Sequence, residues 1–309
     1  MNSKEKKMTG LPVVLGMTMI CCLLWGSAFP CIKIGYRLFD IPSGESFSQI
    51  LFAGIRFFIA GILAVLMGSV GAKKLLIPKR ESIPNIFILS LFQTVLQYTF
   101  FYIGLANTTG MKSSIINASN VFFSILAASL IFHQEKLGMR KILGCLLGFW
   151  GVVLINLTSG ADMSIKFSGE GLILISAISH AFSSAFTKKF SADENPVTLS
   201  GYQFMSGGAV MMITGLIFGG RLHSVSFSGI LILLYLAFIS AAAFSLWGIL
   251  LKYNTVSKIS VFGFMNPVFG VILSAVFLSE GSTAEPWRVI ISLILVVLGI
   301  VTVNLKSNA

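Results

Sequence analysis

Ten apolar runs divide the chain, at roughly 11–36, 47–70, 84–106, 112–133, 141–158, 169–189, 198–219, 228–251, 259–279 and 287–305. A helix needs about 20 mostly apolar residues to cross the hydrocarbon core of a bilayer, and each run approaches or exceeds that length. The stretches between them are too short to hold a soluble domain. Charged residues make up 11% of the 309-residue sequence, against about 25% in soluble domains. The pattern predicts an all-α membrane protein of about ten transmembrane helices. Pro84, Pro196 and Pro286 stand at the starts of the third, seventh and tenth runs, where a missing N–H breaks no helical hydrogen bond.

The basic residues orient this arrangement, because loops rich in Lys and Arg stay cytoplasmic. With the N-terminus inside, the inner segments hold Lys4, Lys6, Lys7, Lys73, Lys74, Lys79, Arg80, Lys136, Arg140, Lys141, Lys188, Lys189, Lys252, Lys258 and Lys306. The outer segments hold only Arg37, Lys112, Lys166, Arg221 and Arg288, with Lys33 and Arg56 at membrane depth. Both termini are therefore expected in the cytoplasm. The formal charge of +11 reports topology. No module of interleaved aromatic and basic residues accompanies it, so nucleic acid is not an expected partner. Lys4, Lys6 and Lys7 resemble the start of a signal peptide. The run behind them is too long, however, and no small-x-small site follows it, so residues 1–10 read as a cytoplasmic tail before an uncleaved span. Cys21, Cys22, Cys31 and Cys145 lie inside apolar runs without C-x-x-C spacing and read as small buried hydrophobes.

The chain also repeats itself at an offset of about 145–155 residues. Trp25 to Lys33 has the spacing of His180 to Lys188, Arg56-Phe57 with Gly61 matches Gln203-Phe204 with Gly208, and Phe132 to Glu135 matches Phe277 to Glu280. Gly151 to Leu157 likewise matches Gly299 to Leu305. The shared order carries more weight than any single match. It divides the chain into five-helix halves at 11–158 and 168–305. An odd number of spans per half makes the second half enter from the opposite side, an inverted repeat. In such folds substrate sites lie near the midplane between the halves.

At these residues the sequence resembles the EamA branch of the drug/metabolite transporter superfamily. The resemblance rests on Trp25-Gly26 followed by Lys33 in the first span, Arg56-Phe57 in the second, and Asn266-Pro267 running to Glu280 in the ninth. It covers essentially the whole chain, with Phe122 where the family often has proline and His180 where it usually has tryptophan. It implies a transporter of amino acids and other small metabolites, often outward, in a bacterial inner membrane. The expected partners are the lipid bilayer and a small-molecule metabolite, the chain acting as a monomer or homodimer with no cofactor.

Polar groups inside a membrane helix are costly and face the bundle interior or a water-filled cavity. Lys33 and Arg56 are candidates for holding a substrate carboxylate, Arg56 by a bidentate contact. The alternatives are snorkelling for Lys33 and bonds from Arg56 to carbonyls at helix ends. Ser113, Asn117, Asn120 and Ser124 form one stripe of helical period, and Ser176, His180, Ser183 and Thr187 form another. The asparagines and His180 read as cavity wall, the serines as helix–helix contacts. Gln93, Gln97 and Tyr98 in the third span, with Tyr202, Gln203, Trp247, Trp25 and Asn266, complete the substrate-binding candidates. Gly26, Pro30, Gly263 and Pro267 are expected to interrupt spans one and nine as hinges. Glu135 and Glu280, at span ends on opposite faces, read as anchors or gate salt bridges.

No Asp or Glu falls in the middle of a run, which argues against a proton relay built on a buried carboxylate. His180 is the one mid-membrane group titrating near neutral pH. The three histidines are too dispersed for a metal site, and there is no G-x-x-x-x-G-K-[ST] loop for ATP. Two other classes stay open: a membrane-embedded enzyme, and a receptor or scaffold on the same fold. The first needs clustered catalytic groups, which the sequence lacks.

Overall fold

The computed structural model describes residues 3–108, 110–156, 166–277 and 286–305, and the regular structure among them is helical. A short helix, Ser3–Thr9, precedes the long ones. These are α1 (Leu11–Leu38), α2 (Ser46–Ala72), α3 (83–106), α4 (110–131), α5 (Met139–Asn156), α6 (Leu172–Phe190), α7 (Pro196–Ile217), α8 (Phe227–Tyr253), α9 (256–277) and α10 (Pro286–Asn304). Eight of them are long and apolar enough to cross a membrane, by length and composition. The others, α6 and α7, are diluted by Ser176, Ser179, Ser183, Ser184 and Thr187, and by Thr198, Ser200 and Gln203. All of these side chains are buried against the rest of the protein, so they need not face lipid. The outer surface is apolar instead, with Leu66, Val70, Ile213, Leu216, Trp150 and Ile290 exposed.

Three helices depart from regular geometry within their length, and a π-helical segment, Phe167–Gly171, leads into α6. In α3 the stretch Leu91–Leu96 is π-helical, and in α4 the chain turns at Ser119 and becomes π-helical over Ala127–Ile131. In α9, Val256–Ser260 tightens to a 3-10 helix over Val261–Phe264 and resumes at Met265–Phe277. Gly263 thus lies in an interruption, and Pro267 sits in the first turn after it, where its missing N–H is cheap. The interruption anticipated in α1 does not occur. Leu11–Leu38 runs unbroken through Gly26 and Pro30. Gly26 serves close packing: a Cβ there would lie 2.6 Å from Cβ of Phe269 on α9. Glu280 lies outside the described residues.

Among the described residues the most extensive helix contact joins α2 to α7. Gly54 and Gly61 on one, and Gly201, Gly208 and Gly215 on the other, recur at seven-residue intervals, two helical turns apart on one face. A Cβ added at Gly61 would lie 2.5 Å from the Gly201 carbonyl oxygen, and one at Gly54 2.5 Å from the Met212 nitrogen. One at Gly215 would lie 2.8 Å from Cβ of Leu51. Positions rising along α2 meet positions falling along α7, so the pair is antiparallel. Helices α5 and α10 do the same through Gly144, Gly148, Gly151 and Gly299. In a bilayer this close approach supplies the van der Waals contact that burial supplies in water. Around these pairs, α1 packs on α8 and α9 while α6 packs on α3 and α4.

The face carrying the N-terminus is tied shut across the two halves of the chain. Glu135, after α4, accepts the Ser257 backbone N–H (2.9 Å) and hydroxyl at the start of α9 and pairs with Lys141 Nζ at 2.9 Å. Gln134 Nε2 donates to the Ala185 carbonyl (2.9 Å), Asn254 Nδ2 to Met8 O (3.0 Å) and Lys258 Nζ to Thr9 O (2.8 Å). Glu194 joins the loops before α3 and α7. Burial pushes its carboxyl up, but N–H donation from Lys79 (2.9 Å) and Asn195 (2.8 Å) outweighs this and holds it below the usual carboxylate value. At the opposite face the ties run along two edges. There Glu45 meets His223 Nε2 at 2.9 Å, and Glu170 takes Thr108 Oγ1 at 2.6 Å and Lys112 Nζ at 3.3 Å.

The glycine seam gives a stability prediction. Gly61→Val must push α2 off α7 and should cost about 1–3 kcal/mol, the usual range for overpacking. Gly71→Val, with nothing within 4 Å of its Cβ, should be neutral. Thermal unfolding in detergent separates the two, and an unshifted transition for Gly61→Val would contradict the seam.

Candidate functional site

A cavity of about 220 Å³ lies among α1, α2, α3, α4, α6, α8 and α9. Its wall follows helical periodicity. Trp25, Ala28, Ile32 and Tyr36 form one line on α1, with Lys33 beside them, and Phe244 and Trp247 sit one turn apart on α8. On α9 the lining residues are Ser260, Gly263 and Asn266, at intervals of three. The 3-10 turn accounts for that spacing, because it stacks every third side chain on one line. Ser260 is the lining residue nearest the closed N-terminal face, while Lys33, Leu105 and Ser113 line the other end and Lys33 is exposed.

Aromatic rings build the apolar part of the wall and lock it to the glycine seam. Trp25 meets both Phe244 and Trp247 edge-on, with centroids 5.0 Å apart in each case. Phe244 meets Phe204 of α7 at 5.0 Å, Phe204 stacks on Phe57 of α2 at 5.3 Å, and Phe57 reaches Tyr98 of α3 at 4.3 Å. This chain of rings fixes the residue next to Phe57.

That neighbour, Arg56, is 3% exposed. Its Nε donates to the Leu236 carbonyl at 3.2 Å and Nη2 to Ser240 Oγ at 3.0 Å, with the guanidinium carbon 5.1 Å from the Phe57 ring centroid. Arg56 thus bonds a carbonyl, though one inside α8 and not at a helix end, while it also lines the cavity. Among the described residues no carboxylate pairs with it. His180 Nδ1 lies 3.2 Å from Gln97 Oε1, whose backbone carbonyl accepts the Ser176 hydroxyl at 2.7 Å. Six buried polar atoms of the lining have no hydrogen-bond partner: Trp25 Nε1, Tyr36 OH, Tyr102 OH, Trp247 Nε1, Ser260 Oγ and Asn266 Oδ1. Buried polar groups are nearly always paired, and each exception asks for an explanation.

Of the candidates from the sequence, the cavity brings together Trp25, Lys33, Arg56, Gln97, Tyr98, Asn117, Asn120, His180, Trp247 and Asn266. It does not include Gln93, Tyr202 or Gln203. Gln203 is fully buried and accepts the Thr94 hydroxyl at 2.7 Å, tying α7 to the π-helical part of α3. Tyr202 donates its hydroxyl to Leu76 O at 3.2 Å, and Gln93 is buried on the π-helical segment. These three are packing and tethering groups. Tyr36, Phe101, Tyr102, Phe244 and Ser260 line the cavity without having been singled out. The period linking Trp25 to Tyr36 was available as a signal for the first of them.

The profile of the EamA-like transporter family matches residues 13–157 and again residues 167–305. The chain belongs to the EamA-like transporter family. It is similar to an uncharacterized transporter of Archaeoglobus fulgidus, 28% identical over 95% of this chain and 98% of that protein. The uncharacterized inner membrane transporter YedA of Escherichia coli is 25% identical, over 93% of this chain and 91% of its own. A protein of Salmonella typhimurium named a probable amino-acid metabolite efflux pump is also 25% identical, over 86% and 87% of the two chains. A crystal structure at 16% identity superposes with a TM-score of 0.76, covering 96% of this chain and 97% of the other, and shares its fold. With its apolar helices, this EamA-like protein is an integral membrane protein.

The geometry separates tether from wall. Gln203→Ala leaves the Thr94 hydroxyl unpaired in the interior and should lower stability by about 1–3 kcal/mol. It should leave the affinity for any ligand of the cavity unchanged. Paired melting and binding measurements test this, and a loss of affinity without a loss of stability would return Gln203 to the site.

Proposed function

We propose that this EamA-like protein is a secondary transporter that moves small metabolites, such as amino acids, by alternating access, as an exporter or exchanger. The observation that carries the reading is the cavity itself. Residues of both halves line it, it holds six unpaired polar atoms and a buried cation, and the chain ends it at one face behind a row of cross-half bonds. A metabolite entering there supplies the missing partners. A membrane-embedded enzyme would instead need a nucleophile or metal cluster, and the lining offers donors, acceptors and rings.

The transport reading rests further on two inverted repeats, 11–158 and 168–305. The double family match, the antiparallel α2·α7 and α5·α10 pairs, and the exchange of α1·α8 for α6·α3 support it. Two copies in opposite orientation can trade conformations, opening the cavity to each side in turn. Glu135 then acts as a gate: its bonds to Ser257 hold the N-terminal face closed and must break for that face to open. The Lys and Arg distribution supports a cytoplasmic position for both termini, and so for this face. Within the cavity Arg56 binds the substrate's anionic group, and Trp25, Asn117, Asn120 and His180 line the path.

Counterflow in proteoliposomes, screened over metabolites, identifies the substrate. Arg56→Gln should then weaken its uptake affinity roughly 10- to 100-fold, the scale of one charged hydrogen bond. An unchanged affinity would remove Arg56 from the site.

A further inference from the structure

The charge of the cavity is one-sided. Among the described residues its lining contains Lys33 and Arg56 and no aspartate or glutamate. Arg56 is held by neutral groups, Leu236 O, Ser240 Oγ and the Phe57 ring, with the Tyr102 hydroxyl beside it. A buried cation without a counter-ion is costly, and a ligand anion arriving beside it recovers much of that cost. A buried ammonium gains no such partner here. The acceptors on offer to it are neutral ones such as Asn266 Oδ1 and the hydroxyls of Tyr36, Tyr102 and Ser260.

The orphaned groups also fix a second end. Ser240, which holds Arg56, and Trp247 are seven residues apart on α8, roughly 10 Å along its axis. Trp25 and Trp247 touch there, and each has an indole N–H without an acceptor. Indole N–H groups only donate, and the adjoining rings and neutral polar groups suit an uncharged body. We propose that the ligand of this cavity is a net organic anion: a carboxylate at Arg56, about 10 Å from an apolar or hydrogen-bond-accepting end at the two indoles, with no free ammonium. This rests on the transport reading above and narrows it, from metabolites that include free amino acids to anions that lack an ammonium.

Four probes with one phenyl body isolate the head group: 3-phenylpropionate, N-acetyl-L-phenylalanine, L-phenylalanine and phenethylamine. Quenching of tryptophan fluorescence on the purified full chain reports occupancy, since Trp25 and Trp247 stand in the wall. The expected result is that the two ammonium-free carboxylates bind at least tenfold more tightly than L-phenylalanine, with phenethylamine not binding. Arg56→Lys, which keeps the charge, should retain part of the preference, and Arg56→Gln should abolish it. Equal or tighter binding of L-phenylalanine, or binding of phenethylamine, overturns the anion selectivity while leaving the cavity a substrate site. No saturable signal from any of the four removes the selectivity and the cavity's role together.

Discussion

The seam between α2 and α7 is the constraint on which the rest depends. Five glycines remove the side chains that would hold the two backbones apart, and a Cβ at Gly61 would stand 2.5 Å from the Gly201 carbonyl. Because the helices touch so closely, Phe57 and Phe204 stack across them at 5.3 Å, and the residue before Phe57 has one direction left. Arg56 leaves the seam toward α8, where Leu236 O and Ser240 Oγ receive it. A guanidinium so placed does not reach water by snorkelling, as a long side chain near a helix end does. It is a fixed positive charge inside the bundle, and the cavity is arranged around it.

Satisfying polar groups is the second consequence of a membrane setting. The fold does this at its faces, where carboxylates cap backbone N–H groups and lysines reach carbonyls. It does so again where Gln203 meets Thr94. Among the described residues, six unpaired buried atoms gather on the wall of this one cavity, while others, Gln203 Nε2 and Ser292 Oγ among them, are scattered through the helix packing. Their gathering is the point of interest, since an accidental void in a bundle of Leu, Ile and Phe would be lined by apolar atoms.

Much of this was legible in the sequence, for physical reasons. Helix positions follow from the length of apolar runs, and the starts at Pro196 and Pro286 fall where proline is tolerated. The polar stripe Asn117–Asn120 and the isolated His180 face the cavity because few other environments accept them. Less legible were contacts set by partner helices. The period that groups Gln203 with Tyr202 is silent on which face of α7 meets α3, so both were placed in the site although they tether it. Gly26 read as a hinge because glycine in a helix suggests bending, yet it admits Phe269. The seven-residue glycine spacing was in plain view and marks the seam. Tyr36 and Tyr102 escaped because tyrosine in a membrane helix more often marks the interface.

Alternating access, as proposed above, needs this one cavity to open to each face in turn. Ser260 is its lining residue closest to the bonded N-terminal face, and Lys33 lies toward the other. The direct test is the reactivity of Ser260→Cys, in a chain whose native cysteines are replaced, toward a membrane-impermeant maleimide in sealed vesicles of known orientation. Alternating access predicts labelling from both faces, blocked from both by a bound ligand. Labelling from one face alone, under every ligand and gradient tried, would contradict it.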